Sequence, residues 1–208
     1  MDLEKFFDTV CQNKLIEILS RSIKDGRVIS LIHKYLNVGV IRQGVFERSE
    51  QGVPQGGPLS PLLSNVMLNE LDKELERRGH KFVRYADACM ILCKSRRIAE
   101  RTLASIIPFI EKKLFLKVNR EKTSVAHISK VKYLGYGFYR YKGKCQFKVH
   151  KKSLAKMKNR LRAITNRNKA ISNEERPLIP KRFVKGWVNY FKLADMKKLL
   201  MKMDEWLR

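Results

Sequence analysis

The stretch that most constrains the fold is FVRYADACMILCKS, at residues 82–95. Apolar residues alternate with other residues on both sides of a short centre, a pattern typical of two antiparallel strands joined as a β-hairpin. Asp87 lies at that centre and is followed by Ala88. The pattern therefore predicts a hairpin that brings a single carboxylate to its tip.

The segments around this hairpin alternate between strand and helix signals. Residues 1–10 read as the end of a strand that runs into a turn, and we expect Asp8 or Thr9 to cap the helix that follows. The further elements predicted are helices over residues 13–23, 28–37, 60–78 and 96–114, short strand and turn over 41–59, and strands over 116–128 and 130–150, the last with a hairpin turn in YKGK. Ser95 is expected to cap the helix over 96–114, and Pro108 to kink it.

This order predicts an α+β fold in which an antiparallel sheet is backed by helices. The character of the chain changes near His150, where a basic helix begins. A polar stretch with Pro177 and Pro180 follows that helix, and two more helices complete the chain. We therefore predict two domains, one over residues 1–150 and a helical one over residues 151–208.

Charge is distributed unevenly along the chain. The sequence holds 45 Lys and Arg against 20 Asp and Glu, a formal net charge of +25. Residues 1–80 are neutral overall, so residues 81–208 carry the whole excess. This imbalance favours a polyanionic partner, with nucleic acid preferred over an anionic membrane surface and over an ordinary solvated surface.

Other features argue against secreted, membrane and zinc proteins. No apolar run approaches the roughly 20 residues that cross a bilayer, and the acidic first residues are unlike a signal peptide. The four cysteines form no CxxC pair and the four histidines are scattered. We therefore expect free thiols in a reducing compartment and no zinc site.

Two carboxylates are placed for chemistry, Asp2 on the first strand and Asp87 at the hairpin tip. Carboxylates on neighbouring strands can present hard oxygen ligands to Mg²⁺, and a pair of such metals stabilises phosphoryl transfer. The residue pattern also allows simpler roles, a surface charge near the chain start for Asp2 and a turn-forming residue for Asp87.

Several segments together resemble one known family. They are DLEKFFD, QGVPQGGPLSPLLSN, FVRYADA, LKVNREKT, YLGYGF and, toward the end, KRFVKGWVNYFKLAD. Their order and approximate spacing resemble the palm and thumb regions of group II intron-encoded reverse transcriptases, also called maturases, over essentially the whole chain. The resemblance implies a reverse-transcriptase palm with partial fingers over residues 1–150 and a helical thumb after it.

The resemblance also implies roles at the polymerase centre. Asp2 and Asp87 match the two carboxylates that bridge a pair of Mg²⁺ ions, and the Leu3 carbonyl matches a further ligand. Lys122 matches a lysine near the triphosphate that can act as a general acid.

Other positions are implied to contact substrates. Phe7 matches the bulky residue beneath the incoming sugar, Phe6 is expected in the core, and Gln55 and Gly56 match residues beside the incoming nucleotide. The implied primer grip is Leu134, Gly135 and Tyr136. The implied nucleic-acid-binding residues of the thumb are Lys151, Lys152, Lys156, Lys158, Arg160, Lys181, Arg182 and Lys185.

The sequence departs from the family at two places. The family has a second aspartate where this chain has Ala88, which predicts weakened metal binding. The family's basic fingers precede its first palm segment and a DNA-binding and endonuclease region follows its thumb, whereas this chain begins at Met1 and ends at Arg208.

The implied function is RNA-directed DNA synthesis and intron RNA binding for splicing and mobility in a bacterial cytoplasm. Its implied partners are group II intron RNA, an RNA template with a DNA primer, and dNTPs. The departures predict a weakened or inactive fragment. The alternatives are an intron-RNA-binding maturase fragment without catalysis and a degenerate remnant of an intron reading frame.

Overall fold

The computed structural model describes residues 1–42, 45–47, 51–166, 172 and 175–207. It combines helices with small antiparallel sheets, so the predicted α+β class is confirmed. The chain divides into two compact units, unit 1 over Met1–Val125 and unit 2 over Ala126–Arg208. No helix among the described residues is long and apolar enough to cross a membrane.

The described part of unit 1 is mainly helical, with two short hairpins. In the first hairpin Val40–Arg42 pairs antiparallel with Val45–Glu47, largely within the segment 41–59 for which the sequence predicts short strand and turn. Residues 43, 44 and 48–50 of that segment lie outside the described residues. The elements are α1 Phe6–Thr9, α2 Gln12–Ser22, α3 Gly26–Leu36, β1 Val40–Arg42, β2 Val45–Glu47, α4 Ser60–Arg77, β3 Lys81–Tyr85, β4 Ala88–Leu92 and α5 Arg96–Lys113.

The hairpin predicted from residues 82–95 is confirmed. Strands β3 and β4 pair antiparallel, with Phe82 opposite Ile91 and Tyr85 opposite Ala88. Only Ala86 and Asp87 lie between the strands, so Asp87 is at the tip of a two-residue turn.

Helix α4 provides much of the unit 1 core. Its residues Met67, Leu68, Leu71 and Leu75 are each at most 1% exposed. Burial of such side chains contributes roughly 1.5–3 kcal/mol each, and this anchors α4 beneath the hairpin. Leu62 of the same helix is instead 60% exposed, because it is out of phase with the buried positions Leu63, Met67 and Leu71 and lies on another face of the helix.

Two predictions are wrong, one about the cap of α2 and one about the strand over residues 116–128. Neither Asp8 nor Thr9 caps α2, whose N-cap is Cys11 without a side-chain hydrogen bond. The Thr9 hydroxyl instead donates back to carbonyls of the preceding turn, including that of Lys5 at 3.2 Å. The predicted strand over 116–128 is reduced to an isolated bridge between Leu3 and Val118.

The described part of unit 2 combines a three-stranded antiparallel sheet with three helices. The sheet has the order β5–β6–β7, and the turn predicted in YKGK joins Tyr141 to Lys144. The elements are β5 Lys132–Tyr133, β6 Tyr136–Tyr141, β7 Lys144–Val149, α6 Lys151–Ile164, α7 Glu175–Tyr190 and α8 Lys197–Leu207, with a 3₁₀ turn at Ile128–Lys130.

The polar break predicted around Pro177 and Pro180 is wrong, because α7 already begins at Glu175. Pro177 lies in the first turn, where its missing N–H has no helical acceptor to lose. Residues 167–169 of the predicted basic helix lie outside the described residues, and α6 ends at Ile164.

Two clusters form the core of unit 2. Met157 and Leu161 of α6 and Met203 of α8 form the first cluster, against which Phe183 of α7 and Trp206 of α8 pack. Phe191, Ala194 and Met196 form the second cluster, against which Tyr136 of the sheet packs. The sheet before His150 therefore belongs to the same compact unit as the helices, and the domain boundary placed at His150 stays a prediction.

Candidate polymerase centre and nucleic-acid surface

Asp2 lies between the hairpin and the segment after α5. Met1 and Cys89 exchange both backbone hydrogen bonds, at 2.9 and 3.0 Å. In an antiparallel pair this register places Asp2 opposite Ala88, in the kind of pair whose side chains share one face and approach closely. A carboxylate at position 88 would therefore be a direct neighbour of Asp2.

The other edge of this segment is bound by the loop that carries Lys122. The Asn119 N–H donates to the Asp2 carbonyl at 2.9 Å, and the Asp2 N–H donates to the Thr123 hydroxyl at 3.2 Å. The Lys122 ammonium lies 3.4 Å from the Asp2 carboxylate. The structure thus brings Asp2 and Lys122, two of the predicted catalytic residues, into an ion pair.

The hairpin tip is held by Arg84, which the sequence prediction missed. Its guanidinium donates to both Asp72 oxygens, with a shortest distance of 2.6 Å, and to Asn65 at 3.1 Å. It also donates to the Ala86 carbonyl at 3.0 Å, inside the turn next to Asp87. Ala86 has a positive φ of 51°, which is costly for a residue with a side chain.

One signal could have revealed this arrangement. Asn65 and Asp72 are seven residues apart on α4, about two helical turns, and therefore lie on one face. A polar pair on the face of a core helix that packs against a strand arginine indicates that the arginine binds both side chains. We call this contact of Arg84 with Asp72 and Asn65 the arginine clamp. The side chains of Arg84 and Asp72 are 13% and 19% exposed.

A second group of predicted residues meets around α1. The Val53 N–H donates to the Phe7 carbonyl at 2.7 Å, and the Gln55 amide donates to the Asp8 carboxylate at 2.7 Å. Gly52 is required here, because its φ is 86° and a Cβ would collide with the Phe7 carbonyl. The loop therefore sets Gln55 beside α1, which carries Phe7.

The remaining predicted nucleotide-site residues differ in exposure. Phe6 is 3% exposed, which confirms it as a core residue, and the half-buried Phe7 meets its ring edge-on at 5.4 Å between centroids. Leu3 is also in the core at 4% exposure, so only its backbone is available to a ligand. Gly56 has a φ of 82° and open space around it.

The donor chemistry at the centre fits Mg²⁺ in kind, since Asp2 and Asp87 supply hard oxygen ligands. Among the described residues, no group of three His, Cys, Asp or Glu side chains is arranged to hold a metal. Cys89, adjacent to Ala88, is 2% exposed, and burial raises the pKa of its thiol to about 11. It is therefore an uncharged core residue at neutral pH.

The predicted primer-grip residues form the turn between β5 and β6. Tyr133 pairs with Tyr136, and Leu134 and Gly135 between them have φ values of 48° and 83°. Two successive residues with positive φ define a tight hairpin turn. Leu134 is 40% exposed.

The predicted nucleic-acid-binding residues lie on α6 and α7. Most have exposed side chains that form no ion pair with another described residue: Lys151, Lys152, Lys156, Arg160, Lys181, Arg182 and Lys185. Lys158 differs, since its ammonium lies 4.8 Å from the centre of the Trp206 ring and Arg162 lies 5.2 Å from the same ring. Many basic residues of unit 1 are instead ion-paired, as Arg77 is with Glu74.

Comparison with known proteins defines the class of protein. Residues 1–138 match the family model of reverse transcriptase (RNA-dependent DNA polymerase). This match covers more than half of the chain, so the chain belongs to the reverse transcriptase family. Residues 154–208 match the maturase-specific domain of group II introns, which identifies the chain more closely as a reverse transcriptase/maturase of the group II intron type.

Curated relatives agree with this assignment. Protein YkfC of Escherichia coli strain K12 is 31% identical over 162 residues, covering 62% of this chain and 42% of YkfC. Group II intron-encoded protein LtrA of Lactococcus lactis subsp. cremoris is 27% identical over 200 residues, covering 65% of this chain and 33% of LtrA. The chain thus spans less than half the length of these relatives.

A solved structure is also similar in sequence. A chain of a partial Cas6-RT-Cas1–Cas2 complex is 32% identical, with 54% of this chain and 22% of that chain covered. The TM-score of 0.32 is too low to add to the assignment. Proteins of this family bind nucleic acids and use Mg²⁺.

Proposed function

We propose that this chain is an RNA-binding reverse transcriptase/maturase whose polymerase centre is weakened by Ala88. One observation carries the proposal: the register of Met1 with Cys89 sets Asp2 opposite position 88, while Lys122 pairs with Asp2. The substrates are an RNA template with a DNA primer and dNTPs, and the RNA partner is group II intron RNA.

The residues of the centre have distinct roles in this proposal. Asp2 and Asp87 are the residues that would hold Mg²⁺, and the bound metal would supply neutralisation of the charge on the transferred phosphoryl group. The Lys122 ammonium, beside Asp2, donates a proton to the departing pyrophosphate. Phe7 and Gln55 shape the site of the incoming nucleotide.

Ala88 explains why this centre is weak. Two Mg²⁺ ions bring four positive charges, and one carboxylate fewer leaves them less neutralised. We expect Ala88→Asp to raise the affinity for Mn²⁺ by roughly tenfold, since a further charge about 4 Å from a divalent ion contributes at least 1–2 kcal/mol even in water. Free Mn²⁺ measured by electron paramagnetic resonance tests this without requiring activity.

The matched control is Ala155→Asp, which adds the same charge at an exposed position of α6. It should leave the Mn²⁺ affinity unchanged. An Ala88→Asp variant that binds Mn²⁺ no more tightly than the unaltered chain would show that position 88 does not face the metals.

The charge of unit 2 supports RNA binding. Residues 126–208 contain 23 Lys and Arg against 5 Asp and Glu, a net charge of +18. Each phosphate that a lysine or arginine neutralises releases counterions, so affinity falls as salt rises. The expected log–log slope is roughly −0.7 per contact on single strands and −0.9 on duplex.

The test is a salt titration of RNA binding by fluorescence anisotropy. A variant with Lys152, Lys156 and Arg160 each changed to Gln should bind more weakly and lose roughly 2 units of slope. The control changes Lys14, Lys73 and Arg96, which are ion-paired in unit 1, and should keep the slope. An affinity that does not respond to salt would contradict the proposal.

A second candidate function is intron RNA binding without catalysis. It is favoured by Ala88 and by the lack of a three-ligand metal cluster among the described residues. The two candidates differ in one result: a weakened polymerase retains metal-dependent extension that Asp2→Asn removes, whereas the binding fragment has none. A chain that binds no RNA would support the remaining alternative, a degenerate remnant of an intron reading frame.

A further inference from the structure

The turn at Leu134 and Gly135 is held in an unfavourable backbone conformation. Leu134 has a φ of 48°, a region that residues with a branched side chain rarely adopt. Such a conformation persists only where the surrounding structure fixes it. The contacts that the C-terminal helices make to this turn are therefore the ones that can hold its backbone in this conformation.

Two tyrosines exchange hydrogen bonds across the turn and helix α7. The Tyr190 hydroxyl donates to the Leu134 carbonyl at 3.0 Å. The Tyr136 hydroxyl donates to the Tyr190 carbonyl at 2.5 Å. The two rings stack with an interplanar angle of 29° and a centroid distance of 6.2 Å. We call this arrangement the tyrosine latch.

The second carbonyl of the turn is also bound. The Gly135 carbonyl accepts from the His150 N–H at 3.1 Å and from the Ser153 hydroxyl at 2.9 Å. A Cβ at position 135 would lie 2.9 Å from the Phe191 ring, so glycine is required there. Both carbonyls of the turn are thus occupied by groups from the segments that carry α6 and α7.

The Tyr190 side of the latch lies at the surface, whereas Tyr136 packs against the Phe191 cluster. Tyr190 is 57% exposed, and Leu134 is 40% exposed. The Tyr190 ring meets the buried Phe191 ring edge-on at 4.8 Å between centroids, but more than half of the tyrosine stays exposed. Its position is better explained by the need to fix the turn that it holds.

We infer that Tyr190 is a positioning residue for the primer strand, because it fixes the Leu134–Gly135 turn for contact with the strand end. Ser153 supports the same turn from α6. The inference rests on the proposed function and on the primer contact that the family resemblance implies for this turn. It makes α7, within the maturase-specific region, part of the grip on the polymerase substrate.

The test uses Tyr190→Phe, which keeps the ring and removes only the hydroxyl donor, and Ser153→Ala. Tyr141→Phe is the control, since Tyr141 is 58% exposed at the far end of β6. Two measurements are made on the unaltered chain and on each variant. The first is amide hydrogen exchange of residues 131–138 and of His150, and the second is affinity for two nucleic acids, a DNA primer recessed on an RNA template and single-stranded RNA.

We expect Tyr190→Phe to speed exchange in the turn by about 3- to 10-fold, the effect of one lost hydrogen bond. We expect it to weaken binding of the recessed hybrid by a similar factor and to leave single-stranded RNA binding unchanged. Tyr141→Phe should match the unaltered chain in both measurements.

Unchanged exchange in Tyr190→Phe would overturn the inference, as would faster exchange with full affinity for the hybrid. Equal losses for the hybrid and for single-stranded RNA would overturn it too, because they indicate a general nucleic-acid contact. If the unaltered chain binds neither nucleic acid, the proposed function fails, and the exchange data still decide whether Tyr190 fixes the turn.

Discussion

Arg84 connects the hairpin tip to helix α4 through one guanidinium group. It forms a forked ion pair with Asp72 and also binds the Ala86 carbonyl in the turn that carries Asp87. A lysine could not reproduce this geometry, because it lacks the planar fork. The position of Asp87 therefore depends on a residue that itself is not expected to touch substrate.

Removing this clamp should cost stability. We expect Arg84→Met to lower the free energy of unfolding by about 2–3 kcal/mol, because it leaves the Asp72 carboxylate without its partner at 19% exposure. Urea unfolding measures the change.

Arg96→Met is the control for the clamp. It breaks an ion pair of the same chemistry whose side chains are 84% and 52% exposed, and should cost at most about 0.5 kcal/mol. Equal losses in the two variants would show that the clamp contributes no more than a surface ion pair.

For single residues, the sequence predicts some contacts and not others. Asp87 at the hairpin tip follows from local alternation, since a two-residue turn leaves it no other place. The ion pair of Asp2 with Lys122 joins residues 120 positions apart, and only the resemblance to a family indicated that they belong to one site. Arg84 was missed because its partners lie on another element.

Helix α6 begins at a histidine cap. The His150 Nδ1 accepts a hydrogen bond from the Lys152 N–H at 3.1 Å, which requires that nitrogen to be unprotonated. Burial, and secondarily the charges of Lys132, Lys152, Lys148 and Lys151, lower the pKa of His150 below its usual 6.5. The folded chain therefore resists protonation more than the unfolded chain does.

This cap predicts a pH dependence of stability. Because the pKa is lower in the folded state, the stabilisation is fully present above pH 6.5 and is lost as the pH falls through the folded pKa. Thermal unfolding at pH 7.5 and 5.5 should show a loss in the unaltered chain that is smaller in His150→Asn, which keeps a capping acceptor that does not titrate. His33→Asn is the control, and a loss of equal size in both variants would contradict the role of the cap.

The elements themselves were predicted unevenly, for physical reasons. Ser95 caps α5 as expected, with its hydroxyl accepting from the Ile98 N–H, because capping is a local interaction. The strand expected over 116–128 did not form as a regular strand, because the bridge partner that it has among the described residues is Leu3, whose neighbour Glu4 already turns toward α1. Pairing of this kind depends on distant residues that local alternation does not report.

At the scale of the whole molecule, the two units differ in net charge as well as in structure. Unit 2 carries most of the excess of basic residues, and unit 1 carries the candidate polymerase centre with many of its ion pairs. Composition predicts a polyanionic partner but cannot distinguish catalysis from binding. The family assignment and the loss of a carboxylate at Ala88 together lead to the central claim, an RNA-binding chain with a depleted polymerase centre.

Primer extension by the unaltered chain tests this claim most directly. A labelled DNA primer on an RNA template is incubated with the chain, Mg²⁺ and dNTPs, and binding of the hybrid is measured in the same mixture. We predict that the hybrid is bound, that extension is at most a trace, and that Asp2→Asn removes that trace. Robust extension by the unaltered chain would contradict the account, because it would show that Asp2 and Asp87 suffice to hold the metals.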